Sequence, residues 1–320
     1  MLLSRTAEIL YWMARYIERA DGTSRLLLTH SDLVLDLPPE LSPGWEPLLA
    51  LPGSPDVFFQ FFQEPTERNV MRFLIGHDGN PGSILASIRM ARENARISRA
   101  IVPREVWEKL NDVWSWSRNR MNEGLTRKGR YPFLQQIVAG CAEVVGYLHG
   151  TMSHDTPFDF VRMGRDVEAA DMAVRILDVR AHRLLGDAHN ELRPYDDIQW
   201  KAVLRALASF QNYRRHVHVR VRGGAVLGFM LQDEQSPHSM LYCLDSIEHS
   251  LRRLPRNEDP LRAIGHAKRM VRDANPYSLA QAGLREFLAE LSAALASLHE
   301  ALQTTYFSLE PSAGQSLASA

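Results

Sequence analysis

The chain has 320 residues, of which 45% are hydrophobic and 23% charged, a composition typical of globular proteins. Its net charge of −1 argues against a nucleic-acid-binding protein, which normally has a basic excess. The two cysteines, Cys141 and Cys243, have no metal-ligand spacing and indicate buried thiols in a reducing compartment. No apolar stretch is long enough to span a bilayer and no signal-peptide pattern begins the chain, so we expect a soluble cytoplasmic protein without membrane contact.

The apolar periodicity is helical along the whole chain. The predicted elements of the first half are a helix from about Ser4 to Asp36, short helices between residues 45 and 76, a helix opened by Asn80-Pro81, a helix after Pro103, a basic loop at residues 124–131 and a helix from Pro132 to about Met152. Asn as a cap and Pro at the first helical position are a typical helix start.

The second half repeats this order. Ser236-Pro237 and Pro260 predict helix starts, as Asn80-Pro81 and Pro103 do in the first half. The stretch from 217 to 231 alternates briefly, but a single strand would have no sheet to join, so a helix–loop–helix is favoured. The last helix is predicted from about Leu279 to Phe307, and residues 311–320 have the composition of a disordered tail.

A charged stripe on the first helix returns 150 residues later. Its members have i, i+3, i+4 and i+7 spacing and therefore share one helix face. The first copy is Arg15, Glu18, Asp21 and Arg25, with Arg19 at its edge, and the second copy is Arg165, Glu168, Asp171 and Arg175. Arg19 is matched by Ala169, which puts in doubt any role that needs both arginines. We predict an all-α protein, a helical bundle built from two pseudo-repeated halves, 1–152 and 153–310.

The stripe has three possible roles. Ion pairs within each helix, such as Glu18–Arg15, Glu18–Arg25 and Asp21–Arg25, or one buried network between the two copies, would make it a structural scaffold. A polar site between the halves would bind a peptide, an anionic metabolite or a partner protein, because arginine forks bind carboxylates and phosphates. A second charged helix segment could supply a further wall: Arg92, Glu93, Asn94 and Arg96.

Enzyme activity is the third possibility, with Glu18 or Glu168 as a general acid or base on a peptide or amide bond. A metal site is not expected, because the spacing is Glu-x-x-Asp and arginines flank it. No phosphate-binding glycine loop is present, so no cofactor is predicted.

Three stretches resemble the signatures of the bacterial alpha-E family. They are Tyr11-Trp-Met-Ala-Arg-Tyr-Ile-Glu-Arg-Ala-Asp21 with Arg25-Leu-Leu27, Asn80-Pro-Gly-Ser-Ile84 with Ala91-Arg-Glu-Asn-Ala-Arg96, and Arg162-Met-Gly-Arg-Asp-Val-Glu-Ala-Ala-Asp-Met172 with Arg175-Ile-Leu177. The family is a set of predicted all-helical domains named for a helical Glu-Arg motif. The resemblance implies partners rather than a reaction: circularly permuted ATP-grasp ligases and transglutaminase-like peptidases, and hence peptide or amide metabolism.

The sequence thus favours an all-helical accessory or binding protein of an ATP-grasp peptide-ligase-like system. The two charged helices and the Arg92–Arg96 segment are its candidate site. An enzyme acting through Glu18 or Glu168 and a purely structural scaffold are the alternatives.

Overall fold

The computed structural model describes residues 4–50, 55–184, 195–217 and 220–308. Its α-helices are α1 (Ser4–Asp36), α2 (Pro55–Phe59), α3 (Glu67–Gly76), α4 (Ile84–Ile97), α5 (Arg104–Gly124), α6 (Arg127–Thr151), α7 (Thr156–Leu184), α8 (Asp196–Ala206), α9 (Phe210–His216), α10 (Gly223–Gln232), α11 (Met240–Leu251), α12 (Glu258–Asp273), α13 (Pro276–Leu279) and α14 (Leu284–Leu302). Short 3₁₀ turns span Pro39–Leu41 and Glu46–Ala50, and a π turn spans Gln303–Phe307. The described ranges contain no β-strand, so the all-α prediction is confirmed.

Helix α1 lies in the middle of the molecule. It packs against α4, α6, α7 and α8, so both of its faces are covered. Met13, Ile17 and Ala20 enter the hydrophobic core, as their spacing predicts. On the charged face, Arg15 is only 6% exposed and Glu18 only 8%. Charges at such positions must find partners, because an unpaired buried charge is strongly unfavourable.

The two charged helices, α1 and α7, run parallel and in close contact. The backbone of Tyr11 faces Gly164, and Gly22 faces Met172, so contacts advance along both helices together. A Cβ at Gly164 would lie 2.1 Å from the carbonyl oxygen of Tyr11. Glycine is therefore required there for the two backbones to approach, and this approach brings the two charged stripes within reach of each other.

The predicted starts of two helices are wrong by three residues. Helix α4 begins after Ser83 and α11 after Ser239, and each serine side chain accepts a hydrogen bond from the backbone N–H three residues on. Asn80 instead forms a turn before α4: its side chain accepts from Gly82 N and donates to the carbonyl oxygen of Phe73. The serine caps lie nearer to the apolar periodicity than the Asn-Pro and Ser-Pro pairs do. Their matching positions agree with the duplication, which stays a prediction.

The predicted basic loop at residues 124–131 is also wrong. Helix α6 begins at Arg127, and Pro132 lies inside its second turn. Thr126 caps the helix by accepting from Gly129 N at 3.0 Å. Cations at a helix start are unfavourable, but Glu67 of α3 binds Arg127 at 2.6 Å. A carboxylate from another element thus supplies the compensation that the local sequence lacks.

Two further predictions concern the ends of elements. Helices α9 and α10 with the non-helical residues 220–222 between them confirm the helix–loop–helix. The last helix begins at Leu284 rather than Leu279. The predicted boundary between residues 152 and 153 falls in the loop between α6 and α7, but one hydrophobic core includes residues from both sides of it, and the division into two halves stays a prediction. The predicted disordered tail, 311–320, lies outside the described residues.

Candidate functional site

The stripe residues of α1 and α7 form two clusters along the contact between these helices. We call the first the Glu168 cluster, which contains Arg15, Arg19, Glu168, Asp171 and Arg175. Arg15 Nε donates to Glu168 Oε2 at 2.6 Å, and Arg19 donates to both carboxylate oxygens, from Nε at 2.5 Å and from Nη2 at 2.9 Å. Asp171 accepts from Arg175 at 2.9 Å and lies 3.6 Å from Arg15 Nη2. One carboxylate is therefore held by two arginines of the neighbouring helix.

Burial makes this cluster electrostatically strong. The Glu168 side chain is only 2% exposed and that of Arg15 only 8%. Burial alone would raise the pKa of Glu168, but the charges and hydrogen bonds of Arg15 and Arg19 lower it to about 2. A carboxylate with this pKa does not take up a proton near neutral pH. The burial and the two arginine partners of Glu168 therefore argue against its use as a general base.

Aromatic residues enclose the Glu168 cluster on the α1 side. The Tyr11 hydroxyl lies 2.9 Å from His299 Nδ1 and 3.4 Å from Arg15 Nη1. The Arg15 guanidinium lies 5.0 Å from the centre of the Trp12 ring, a distance typical of a cation–π contact. Burial, followed by the charge of Arg15, lowers the pKa of His299 to about 4, so its ring is neutral at pH 7.

The second cluster, which we call the Glu18 cluster, contains Glu18, Asp21, Arg25, Arg165 and His238. Arg25 donates to Asp21 at 2.7 Å, just as Arg175 donates to Asp171 in the Glu168 cluster. The equivalent of the Arg15–Glu168 bond would be Arg165–Glu18, and no such ion pair is present. Among the described residues, the ion-pair partner of Glu18 is His238, whose Nε2 lies 3.6 Å from Glu18 Oε1. The two clusters thus differ in how their glutamates are held.

One substitution and the hydrogen bonds of Arg165 explain this difference. Ala169 occupies the position that matches Arg19, so Glu18 lacks the second arginine. Arg165 donates from Nε and Nη2 to Asp166 at 2.9 and 2.7 Å, and its Nη1 lies 2.9 Å from His149 Nε2. The fork of Arg165 is therefore occupied by its own neighbour, and the Glu18 carboxylate keeps acceptor capacity that Glu168 has used.

In the Glu18 cluster, the pKa values of Asp21 and His238 are both raised. Burial raises the pKa of Asp21 to about 6, although Arg25 opposes this, and Asp21 Oδ1 is buried without a hydrogen-bond partner in the structure. Burial alone would lower the pKa of His238, but the Glu18 carboxylate outweighs it and raises the pKa. Beside Arg165 lies a cavity of about 20 Å³, lined also by Ala14 and His149, which is room for roughly one water molecule.

The second-signature segment lies apart from both clusters. Arg92 donates to Asn111 of α5 and to Glu93 within α4, and Arg96 donates to Glu93 at 2.8 Å. The Asn94 carbonyl accepts from Ser98 within the same helix. In the part of the chain that the structure describes, none of these side chains forms a hydrogen bond or an ion pair with the stripe residues of α1 or α7. The sequence hypothesis that this segment forms a third wall of the site is therefore not supported by the contacts.

Intrahelical pairing is only partly as expected. The predicted Asp21–Arg25 pair is present, whereas Arg15 bonds across to Glu168 instead of Glu18. Sequence reasoning missed His238, His299 and Asp166 as members of the site. For His238 the sequence contained a signal. Ala169 stands where the first stripe has Arg19, so Glu18 lacks one arginine partner and needs another cation. For His299, which is 288 residues from Tyr11, no local pattern indicates the contact.

The family comparison agrees with this geometry of two charged helices. A family model described as a predicted alpha-helical domain with a conserved ER motif matches residues 2–307. The chain belongs to the Alpha-E family. In this Alpha-E chain the Glu-Arg pair of α1 is Glu18-Arg19, and its two side chains belong to different clusters. Arg19 binds Glu168, while Glu18 faces His238, so the motif contributes to both sides of the contact between α1 and α7.

Several mycobacterial proteins resemble this Alpha-E chain along most of its length. An uncharacterised protein of Mycobacterium bovis and one of Mycobacterium tuberculosis strain CDC 1551 are each 23% identical over 323 aligned residues. An uncharacterised protein of the H37Rv strain of Mycobacterium tuberculosis is 22% identical over the same length. The alignment covers 93% of this chain but only 36% of each relative, so the chain spans about a third of the curated proteins it matches. No solved structure matches the chain.

Two classes of site are not found in the described part of this Alpha-E chain. Its residues contain no group of three or more His, Cys, Asp or Glu side chains placed to hold a metal ion. None of the described helices combines the length and the hydropathy needed to cross a membrane. Both cysteines are buried free thiols, and burial raises their pKa well above the ordinary value, so they are poor nucleophiles.

Proposed function

We propose that this chain is a cytoplasmic all-helical accessory and binding protein of an ATP-grasp peptide-ligase-like system. Its partners in this proposal are a circularly permuted ATP-grasp ligase and a transglutaminase-like peptidase. The resemblance of its signatures to the alpha-E family motivates this choice of partners. The mycobacterial relatives are consistent with a region that works together with other protein segments, because the matched region is only 36% of each of them.

The observation that carries the proposal is the state of Glu168. Its carboxylate is 2% exposed and both of its oxygens accept hydrogen bonds from Arg15 and Arg19. Burial and three hydrogen bonds from arginines close this carboxylate to a substrate, and its pKa of about 2 leaves it charged. The cluster therefore holds α1 against α7. Because the most buried charges of the two helices pair with each other, they are not available to act on a substrate. This supports a binding role over an enzymatic role at these residues.

Complex formation tests the proposal. The purified chain would be mixed at about 10 µM, where a Kd in the micromolar range is detected, with the ATP-grasp protein and with the transglutaminase-like protein of the same genome. Size-exclusion chromatography with light scattering should show a complex with at least one of them. ATP-dependent ligation by the ATP-grasp protein should change when the chain is added. An unrelated helical protein of similar size and net charge is the control. Absence of both complexes, with unchanged ligation, would reject the proposal.

An enzyme acting through Glu18 is the second candidate. Glu18 is not held by an arginine in the described residues, and it lies beside Asp21, whose pKa is about 6, and His238. A carboxyl group with the pKa of Asp21 can exchange protons near neutral pH. Hydrolysis or transfer of peptide substrates by the purified chain, lost in Glu18→Gln and kept in Arg269→Gln, would support it. A chain that is inactive alone but forms the complexes above would reject it.

A further inference from the structure

A large cleft in the second half is separate from the two charged clusters. It has a volume of about 1000 Å³ and lies between α8, α9 and the start of α10. Ligand sites commonly occupy about 300–1,000 Å³, so a small molecule fits this space. The walls contain four cationic residues and two aspartates: Lys201, Arg214, Arg220, Arg222, Asp196 and Asp197.

The three arginines of the cleft differ from the arginines that pair with a nearby acid. Arg104, Arg252 and Arg262, for example, each pair with an acid three or four residues away in the sequence. Arg214, Arg220 and Arg222 have no ion pair with any described residue. Lys201, by contrast, already binds Asp197 at 2.7 Å. With four cationic residues against two aspartates, the described walls of the cleft have a net positive charge.

Two of these arginines come from the segment that leads into α10. Arg222 has extended dihedral angles, φ −139° and ψ 150°. Arg220 and Arg222 both line the cleft. The Tyr213 hydroxyl donates to the carbonyl oxygen of Arg220 at 3.3 Å and ties this segment to α9. Because Tyr213 itself is fully buried, the segment has a fixed support.

The remaining wall is aromatic. Phe210 lines the cleft, and the guanidinium of Arg214 lies 5.9 Å from the centre of its ring. Stacking on a ring keeps a guanidinium in one plane while its N–H edges stay available for hydrogen bonds. The guanidinium groups of the three arginines line the same cleft. They suit a ligand with several oxyanions, since guanidinium groups bind carboxylate and phosphate bidentately.

We propose that this cleft is a binding site for a small polyanion with two or more phosphate or carboxylate groups. Arg220 and Arg222 bind the oxyanions from the segment before α10, and Arg214 binds from α9. The site is independent of the partner complexes proposed above, because it requires only this chain.

Isothermal titration calorimetry of the full chain at low salt tests the site, with inorganic pyrophosphate and citrate as probes. We expect saturable binding of at least one probe within ~1 mM. Preference for pyrophosphate assigns phosphate ligands, and preference for citrate assigns carboxylates. The double variant Arg220→Gln/Arg222→Gln should weaken binding at least tenfold, since two charge-assisted interactions are lost.

The matched control is Arg269→Gln/Arg285→Gln, which removes the same charge from exposed positions of α12 and α14 that do not line the cleft. Its affinity should stay within about twofold of the unmodified chain, because distant exposed charges are screened by salt. Circular dichroism should show that both variants are folded, as all four arginines are exposed. Lack of binding of both probes by the unmodified chain, or an equal loss in the two double variants, would overturn the proposal.

Discussion

Replacing Glu168 by glutamine tests the role of the buried cluster most directly. Glutamine keeps the shape of the side chain but removes the charge that compensates Arg15 and Arg19. The folded protein lowers the pKa of Glu168 from an ordinary 4.5 to about 2, and each pKa unit corresponds to about 1.4 kcal/mol. The carboxylate therefore contributes about 3 kcal/mol at neutral pH. This agrees with the loss of about 3–5 kcal/mol that is typical when one partner of a buried ion pair is removed.

The pH dependence of this effect has a definite sign. A carboxylate with a lowered pKa stabilises the fold above its ordinary pKa and loses this contribution as the pH falls. The difference in the free energy of unfolding between the unmodified chain and Glu168→Gln should be constant above about pH 6. It should become smaller as the pH falls from about 5 towards 2. Urea unfolding followed by circular dichroism at several pH values measures this difference.

Glu18, which the sequence pattern aligns with Glu168, supplies the matched control. Glu18 occupies the equivalent position but has only His238, 29% exposed, at 3.6 Å, so Glu18→Gln should cost about 1 kcal/mol or less. The reasoning would be refuted if both variants lost the same stability, or if Glu168→Gln lost less than about 1 kcal/mol at pH 7.

Three further changes test the surroundings of these clusters by urea unfolding. Gly164→Ala should lower the free energy of unfolding by about 3 kcal/mol, because its Cβ would lie 2.1 Å from the Tyr11 carbonyl oxygen. The control Gly146→Ala has open space around it and should stabilise α6 by about 0.5–1 kcal/mol. Equal effects of the two changes would contradict the close contact between α1 and α7. Folding raises the pKa of Asp21 from 3.8 to about 6. The unmodified chain should therefore lose stability relative to Asp21→Asn as the pH rises from about 4 to 6, by at most about 3 kcal/mol in the free energy of unfolding. A difference that does not change with pH would contradict the burial of this charge. Tyr11→Phe should cost about 1–2 kcal/mol, because the ring of His299 then loses its buried hydrogen bond, and an unchanged stability would show that this bond is not needed.

Sequence patterns predicted the helices well where the periodicity was long. The bounds of α1 follow from a run of apolar residues that ends before a proline pair, and the structure places its end at Asp36 as expected. The shorter signals were weaker. Asn80-Pro81 has the form of a helix start, yet Ser83 caps the helix, because both are good caps and only the packing of the following turns decides between them.

The sequence placed the charged residues of α1 and of α7 on one face of each helix, but it left open which of them pair across the two helices. Spacing alone identified Arg15, Glu18 and Asp21 as neighbours on one face, and the repeat identified their equivalents on α7. Spacing rules describe contacts within one helix. They predicted an Arg15–Glu18 pair, whereas the structure pairs Arg15 with Glu168, 153 residues away.

The sequence by itself determined the helical class, the charged stripes and the loss of symmetry at Ala169, because these depend on residue order and local spacing. The tertiary structure decided that Glu168 is bound by two arginines, whereas Glu18, among the described residues, pairs with His238. That outcome depends on the close approach of α1 and α7 at Gly164 and on the hydrogen bonds that Arg165 donates to Asp166. It depends also on the contacts of Glu18 with His238 and of Tyr11 with His299, which belong to distant parts of the chain. Each is a long-range contact whose strength comes from burial, and burial is a property of the packed molecule.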